Sequence, residues 1–191
     1  AMSGHHVFVT SADDQDSKTG VLEIFDASDP TSPQYVGAYE VPAVARDVAV
    51  SGGLAVVTSN ISPSDWSGRA DILDVRDPSS PVLLASFETS WGAKVSLAGD
   101  RAILSGPQVL DLTDPTKPQQ LARLAEGFGS TTVAGDVLFA DLNTYRMSPA
   151  TLSRSRTLDV GGQTLGMALQ GNLAWMALGQ DGLQAVDRSK P

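Results

Sequence analysis

The chain has 191 residues, 41% of them hydrophobic and 18% charged, which is enough apolar material for a sizeable buried core. Asp and Glu number 22 against 13 Lys and Arg, a formal net charge of −9, and an acidic surface of this kind argues against nucleic acid and anionic membranes as partners. Cysteine is absent, which removes disulfides, thiolate metal sites and cysteine nucleophiles, and no apolar run approaches the roughly 18 residues of a membrane-spanning helix.

The first element, SGHHVFVTS at residues 3–11, returns as SGGLAVVTS at residues 51–59. The match marks a repeat protein, and periods of this size signal stacked or radial units. His5 and His6 fall inside one copy of the repeat. Adjacent strand residues point to opposite faces, so the two rings do not converge on one metal ion. They read as a turn residue and a strand-edge residue.

A second signature follows in chain order. EIFDASDPTSPQYVGAY at 23–39, ILDVRDPSSPVLLASF at 72–87 and VLDLTDPTKPQQLARL at 109–124 align on Pro30, Pro78 and Pro115. Each has a further proline three residues on, at Pro33, Pro81 and Pro118. Weaker copies surround Pro149 and end at Pro191. A third signature is a glycine between apolar runs, at Gly4, Gly52, Gly99, Gly135 and Gly171, where a hairpin turn demands positive φ.

Each unit reads as four short strands bounded by Gly, Pro and Asp. In the second, RDVAVS is strand A, LAVVTS strand B, ADILDV strand C and VLLASFE strand D. No stretch carries helical periodicity over 11 or more residues. The expected fold is therefore all-β, a β-propeller of about five four-stranded blades. The copies run approximately 3–40, 46–88, 93–125, 129–159 and 163–191, in one domain or part of one. The first copy is expected to lack strand A and the last to lack strand D, which leaves the terminal blades incomplete. Unpaired strand edges are pairing templates, so the missing strands are expected from the remainder of a parent chain, from a protein partner or by self-association. The expected core is Val48, Val50, Val56, Ile72, Leu73, Leu97, Ile103, Val133, Leu138 and Leu169.

The pattern apolar-x-apolar-Asp-x-x-Asp-Pro-x-x-Pro resembles the LVIVD repeat of bacterial and archaeal propeller proteins. It is carried by Asp26 to Pro30, Asp74 to Pro78 and Asp111 to Pro115. The fourth copy departs from it, with Tyr145 where Asp is expected and Ser148 before Pro149. The resemblance implies an extracellular or cell-surface protein (or a periplasmic one) with a recognition or scaffold role and no common enzymatic activity.

Four groups of residues invite a chemical reading. The six repeated carboxylates, Asp26, Asp29, Asp74, Asp77, Asp111 and Asp114, could attract calcium, but Asp before Pro also caps a turn, and a residue needed in every blade serves the blade. The loop carrying Asp13, Asp14 and Asp16 is a weak calcium candidate, since Lys18 occupies a ligand-like position and no Glu follows at the right distance. No other cofactor is expected. The insertion NISPSDWSGRA at 60–70 lengthens one B–C connection and offers Asp65, Trp66 and Arg69 for contact with a peptide or sugar. Trp91, in a D–A connection, emerges on the same face. Trp66 reads equally well as a cover for the blade edge. For an enzyme there is no Gly-x-Ser-x-Gly elbow, although a carboxylate pair across blades would be invisible in sequence. The leading reading is a non-catalytic module for protein–protein interaction, with a glycan-binding propeller second and a carboxylate hydrolase third.

Overall fold

The computed structural model describes residues 1–12, 19–62, 64, 66–90, 94–105, 108–123, 131–134, 137–140, 143–147, 152–157 and 165–187. Within them the chain forms five antiparallel sheets in sequence order. The first holds β1 (Met2–Ser3), β2 (His6–Ala12), β3 (Gly20–Asp26) and β4 (Gln34–Val41). The second holds β5 (Val44–Ser51), β6 (Leu54–Ser62), β7 (Ser67–Asp74) and β8 (Val82–Ser90). The third holds β9 (Val95–Leu97), β10 (Arg101–Leu104), β11 (Gln108–Asp111) and β12 (Gln119–Arg123). The fourth holds β13 (Thr131–Ala134), β14 (Val137–Ala140), β15 (Asn143–Met147) and β16 (Leu152–Thr157). The fifth has three strands, β17 (Gly166–Gln170), β18 (Leu173–Ala177) and β19 (Leu183–Asp187), with a short 3₁₀ turn at Gly179–Asp181.

The expectation that the first unit lacks strand A is corrected. Met2 and Ser3 pair with Val7 and His6, and Ala1 and Phe8 exchange two 2.9 Å hydrogen bonds. Two residues are too few to show an alternation, so the strand left no pattern to read. His5 lies in the turn and His6 opens β2, as the strand geometry implied.

The turns follow from backbone chemistry. Gly4, Gly52, Gly99 and Gly171 have φ of 58°, 59°, 57° and 55°, a region costly for residues with a Cβ. Gly135 lies outside the described residues. Each of the first four sheets also carries a register shift between its third and fourth strands. The shifts fall at Ile24/Phe25, Ile72/Leu73, Val109/Leu110 and Thr144/Tyr145. A bulge sharpens the local twist, and its recurrence at equivalent positions makes it a property of the repeat.

The core lies between sheets. Side chains alternate along a strand, and here both alternating sets are apolar. Phe8, Leu22 and Ile24 of the first sheet meet Ala55, Val57 and Leu73 of the second. The opposite face of the second sheet, with Val56, Ala70 and Ile72, meets Ala102, Leu104 and Leu110 of the third. Ile103 and Val109 then meet Leu138, Ala140 and Tyr145 of the fourth, and Phe139 meets Ala174 and Met176 of the fifth. Runs such as AVV and AIL are continuous because sheets buried on both faces need no polar side. Val48, Val56, Ile72, Leu73, Ile103 and Leu138 are buried as expected. Val50, Leu97 and Val133 are partly buried against the same clusters, and the Leu169 side chain lies outside the described set.

The first sheet approaches the second chiefly through β2 beside β5, and later sheets meet through their first strands, β5 beside β9, β9 beside β13 and β13 beside β17. Asp47 ties one such pair, its carboxylate accepting the Val95 backbone N–H at 3.0 Å. Two glycines set the spacing of the first pair of sheets. A Cβ on Gly20 would come within 2.6 Å of Ala45, and one on Gly37 within 2.6 Å of the Pro78 carbonyl.

Candidate functional site

Strands alternate in direction, so the connections gather at two ends of the sheets. The Asp-Pro and glycine turns occupy one end, and the B–C and D–A connections the other.

At the turn end each repeated Asp is used locally. Asp26 accepts from the Ser28 N–H at 2.8 Å and its hydroxyl at 2.6 Å. Asp29 does the same with Thr31, at 3.0 and 2.6 Å, and Asp77 with Ser79, at 3.0 and 2.6 Å. Asp111 holds Thr113 and Asp114 holds Thr116 through the same pair of bonds. Asp74 instead takes the backbone and guanidinium of Arg76. The spacing now has a cause. The motif is two consecutive side-chain-capped turns, each Asp facing a donor two residues on. Backbone bonds from Ser32 to Asp29, Ser80 to Asp77 and Lys117 to Asp114, at 3.1, 3.1 and 3.0 Å, close the proline-bearing turns. Hydrogen bonds from the side chain and then the backbone two residues on hold five of these carboxyls below the usual carboxylate range. Asp74 is lowered to about 2, first by the Arg76 side chain.

At the loop end the first two sheets reach furthest, with Ala12 opposite Gly20 in the first and the 60–70 insertion in the second. The described residues of the 60–70 insertion are mostly strand. The insertion lengthens β6 and β7, with Asn60 opposite Gly68 and Ser62 opposite Ser67. Its residues continue the strand alternation, and a register shift between Asn60 and Ser62 leaves Ile61 exposed. Trp66, just before β7, is 69% exposed. Its φ of 57° is the one positive value at a non-glycine among the described residues. Bulky residues in that region signal stored strain.

Arg69 does not stand beside Trp66 as a free recognition group. Its Nε donates to Asp71 at 2.5 Å, and Asp71 is fully buried. Alternate strand residues share a face, so Arg69 and Asp71 both look toward the first sheet. There the Tyr39 hydroxyl donates to Asp71 at 3.2 Å, and Ser86 adds a 2.7 Å bond from β8. Burial, then the Asp71 charge, push the Tyr39 hydroxyl up to about 12. The sequence reading missed this cluster. Its one signal was the Arg-x-Asp spacing within an otherwise apolar strand. Asp65 and Trp91 lie outside the described residues, as do Asp13, Asp14 and Asp16.

A further buried polar layer sits beneath the same end. Ser59 faces the first sheet, while Thr89 and Gln108 meet between the second and third. The Ser59 and Thr89 hydroxyls and the Gln108 side-chain oxygen are buried with no hydrogen-bond partner. Gln108 donates through its amide to Gln120 at 3.2 Å. Among the described residues no three His, Asp or Glu side chains form a metal-binding group, and no helix is long and apolar enough to cross a membrane.

The family model for the LVIVD repeat matches residues 2–41 and 43–89, the first two sheets. Over these residues the chain carries LVIVD repeats. Each match begins and ends within one residue of its sheet, so one LVIVD repeat corresponds to one four-stranded sheet. No curated protein matches the chain. Among solved structures, it is similar to a functionally unknown protein from Desulfotomaculum acetoxidans DSM 771. That likeness has a TM-score of 0.73 at 12% identity, over 98% of this chain and 68% of the other. The computationally designed Ika8 protein is similar with a TM-score of 0.63 at 9% identity, over 98% of this chain and 69% of that one. The designed Ika4 protein is similar with a TM-score of 0.57 at 9% identity, over 75% of this chain and 90% of that one. At these identities the likeness is one of fold.

Proposed function

We propose that the LVIVD repeats of this chain form a non-catalytic β-propeller module that binds a protein partner at the loop end of its second sheet, outside the cell or at its surface. Sheets buried on both faces, with first strands adjacent from the second sheet onward, suit a radial arrangement. The observation that carries the reading is Trp66, exposed and held with left-handed backbone at the tip of the long β6–β7 hairpin. An exposed aromatic on a rigid support is the usual anchor of a binding surface, and the turn-end carboxylates, occupied by their own turns, belong to the scaffold.

A glycan is the second reading, favoured by the partnerless Ser59, Thr89 and Gln108 oxygens under the same end. The test is a peptide-display selection run alongside a glycan array, followed by affinity measurements on Trp66→Gly and Asp29→Asn. Binding lost in Trp66→Gly and kept in Asp29→Asn supports the loop-end site, and the class of ligand recovered decides between the two readings. A ligand bound equally well by Trp66→Gly would remove the loop end as the site.

A further inference from the structure

One seam of the molecule changes character along its length. On the face that the second sheet turns to the third, paired residues lie in rows across the strands. Val56, Ile72 and Ala85 make one row, and Thr58, Ala70 and Phe87 the next toward the loop end. The apolar members of both share a core with Leu104 and Leu110 of the third sheet. The row after that is Asn60, Gly68 and Thr89. All three are buried, yet the row holds an amide, a glycine and a hydroxyl.

Gln108 of the third sheet meets this row and is buried with it. Its amide nitrogen donates to the Glu88 carbonyl at 3.5 Å and to Gln120 Oε1 at 3.2 Å. Those two acceptors fix which way the amide points, and Gln108 Oε1 is left without a partner. The Thr89 hydroxyl is also without one. Buried oxygens in this condition call for an occupant. The amide oxygen only accepts, whereas the hydroxyl both donates and accepts, so the occupant must donate to Gln108. It is also neutral, because the row carries no ionised side chain to offset a buried charge. Asp47, one row deeper, already accepts the Val95 N–H.

We propose that the loop end of this seam is a sugar subsite, in which a hydroxyl of a neutral glycan donates to Gln108 Oε1 and accepts from the Thr89 hydroxyl. Gly68 adds no side chain to the row between Asn60 and Thr89. Trp66, exposed two residues before Gly68 on the same hairpin, offers an apolar ring face to the C–H groups of the sugar. The proposal rests on the glycan reading of the loop end and supplies that reading with its hydroxyl-binding residues.

An array of neutral glycans, with calorimetry on the sugars recovered, tests this on the wild type, Thr89→Val and Thr89→Ser. The wild type should bind, Thr89→Val should bind about tenfold more weakly, and Thr89→Ser, which keeps the hydroxyl, should recover most of the loss. Thr89→Val should melt no lower than wild type, since a hydroxyl without a partner in the fold holds nothing together. The Gln108 side-chain amide signals in NMR should shift as sugar is added. Sugar bound equally well by Thr89→Val, or Gln108 signals unmoved at saturation, would remove this subsite and leave the glycan reading standing. A wild type that binds no neutral glycan would remove both and leave trapped water as the occupant. A lower melting temperature for Thr89→Val would give the hydroxyl a structural role and overturn the proposal.

Discussion

The two ends of the sheets handle polar groups in opposite ways. At the turn end, Asp26, Asp29, Asp74, Asp77, Asp111 and Asp114 each find a donor two residues along the chain. The arrangement repeats, needs no neighbouring sheet and is complete in itself. At the loop end, Asp71 draws a hydroxyl from Tyr39 in another sheet, buried oxygens lack partners, and a tryptophan stands exposed on unfavourable backbone. One bond recurs there, from the third strand to the fourth at Asp71 and Ser86, Gln108 and Gln120, and Asn143 and Thr157, whereas the left-handed tryptophan occurs once among the described residues. A feature that every repeat owns serves the repeat, while a feature owned by one repeat is free to serve something outside it.

The comparison can be broken or sharpened by mutation. It rests on the sheets holding both ends rigid, so the largest effect is expected in the core. Leu73→Ala, at a fully buried position in the first interface, should cost about 2–5 kcal/mol in urea unfolding. A loss below about 0.5 kcal/mol would mean that the sheets do not bear on one another. Next comes the loop-end ion pair. Arg69→Met strands the buried Asp71 carboxylate with hydroxyl donors alone and should cost roughly 3 kcal/mol, most of it regained when Asp71 is also made apolar. Failure of the double variant to recover would assign the loss to packing.

A smaller effect contrasts the two ends directly. Gly52→Ala meets no steric obstacle, yet should cost about 1 kcal/mol because φ is positive. Trp66→Gly should stay within about 0.5 kcal/mol of wild type, since relief of the same strain offsets the freedom glycine adds to the unfolded chain. A large destabilisation by Trp66→Gly would show that the ring covers the sheet edge after all.

The smallest effects are in pH. Asp74 titrates at about 2 when folded, below its ordinary 3.8, so the folded state binds fewer protons there. Its contribution is present above roughly pH 4 and is lost as pH falls toward 2. Asp74→Asn should flatten the stability curve across that window in thermal scans, and an unchanged slope would mean that the Arg76 contact does not form in solution. Tyr39 behaves in the opposite sense. Its folded value of about 12 lies above the ordinary 10.0, so its contribution holds below pH 10 and disappears as pH rises through 12. Absorbance of the ionised phenol, wild type against Asp71→Asn, should show that titration moving down. Acid thus loosens the turn end and base the loop end.

How far the sequence reveals each end follows from the range of its interactions. The Asp-Pro turns were legible because donor and acceptor lie two residues apart. The glycine turns were legible because φ near +57° selects for the residue itself. The strand runs were legible from length and bounding residues. The loop end was harder. Arg69 read as a recognition group because its true partner geometry depends on burial, and the bond from Tyr39 to Asp71 spans 32 residues. The 60–70 insertion read as a loop because its serines and glycine resemble turn chemistry, while the pairing of Asn60 with Gly68 depends on the partner strand. Of the named contact residues, Trp66 is exposed and Arg69 is bonded to the buried Asp71.

The missing Cβ at Gly37 has a consequence for how such a chain could change over generations. The residue 48 positions on is Ala85, so the notch that admits the Pro78 turn is not reproduced one unit later. Units that look alike in their turns are therefore keyed to particular neighbours. Transposing the first and second units would drive a methyl group into a backbone carbonyl at about the 2.6 Å approach seen here. Duplication could have built this chain, but shuffling can no longer rearrange it: the order of its units has become part of its structure.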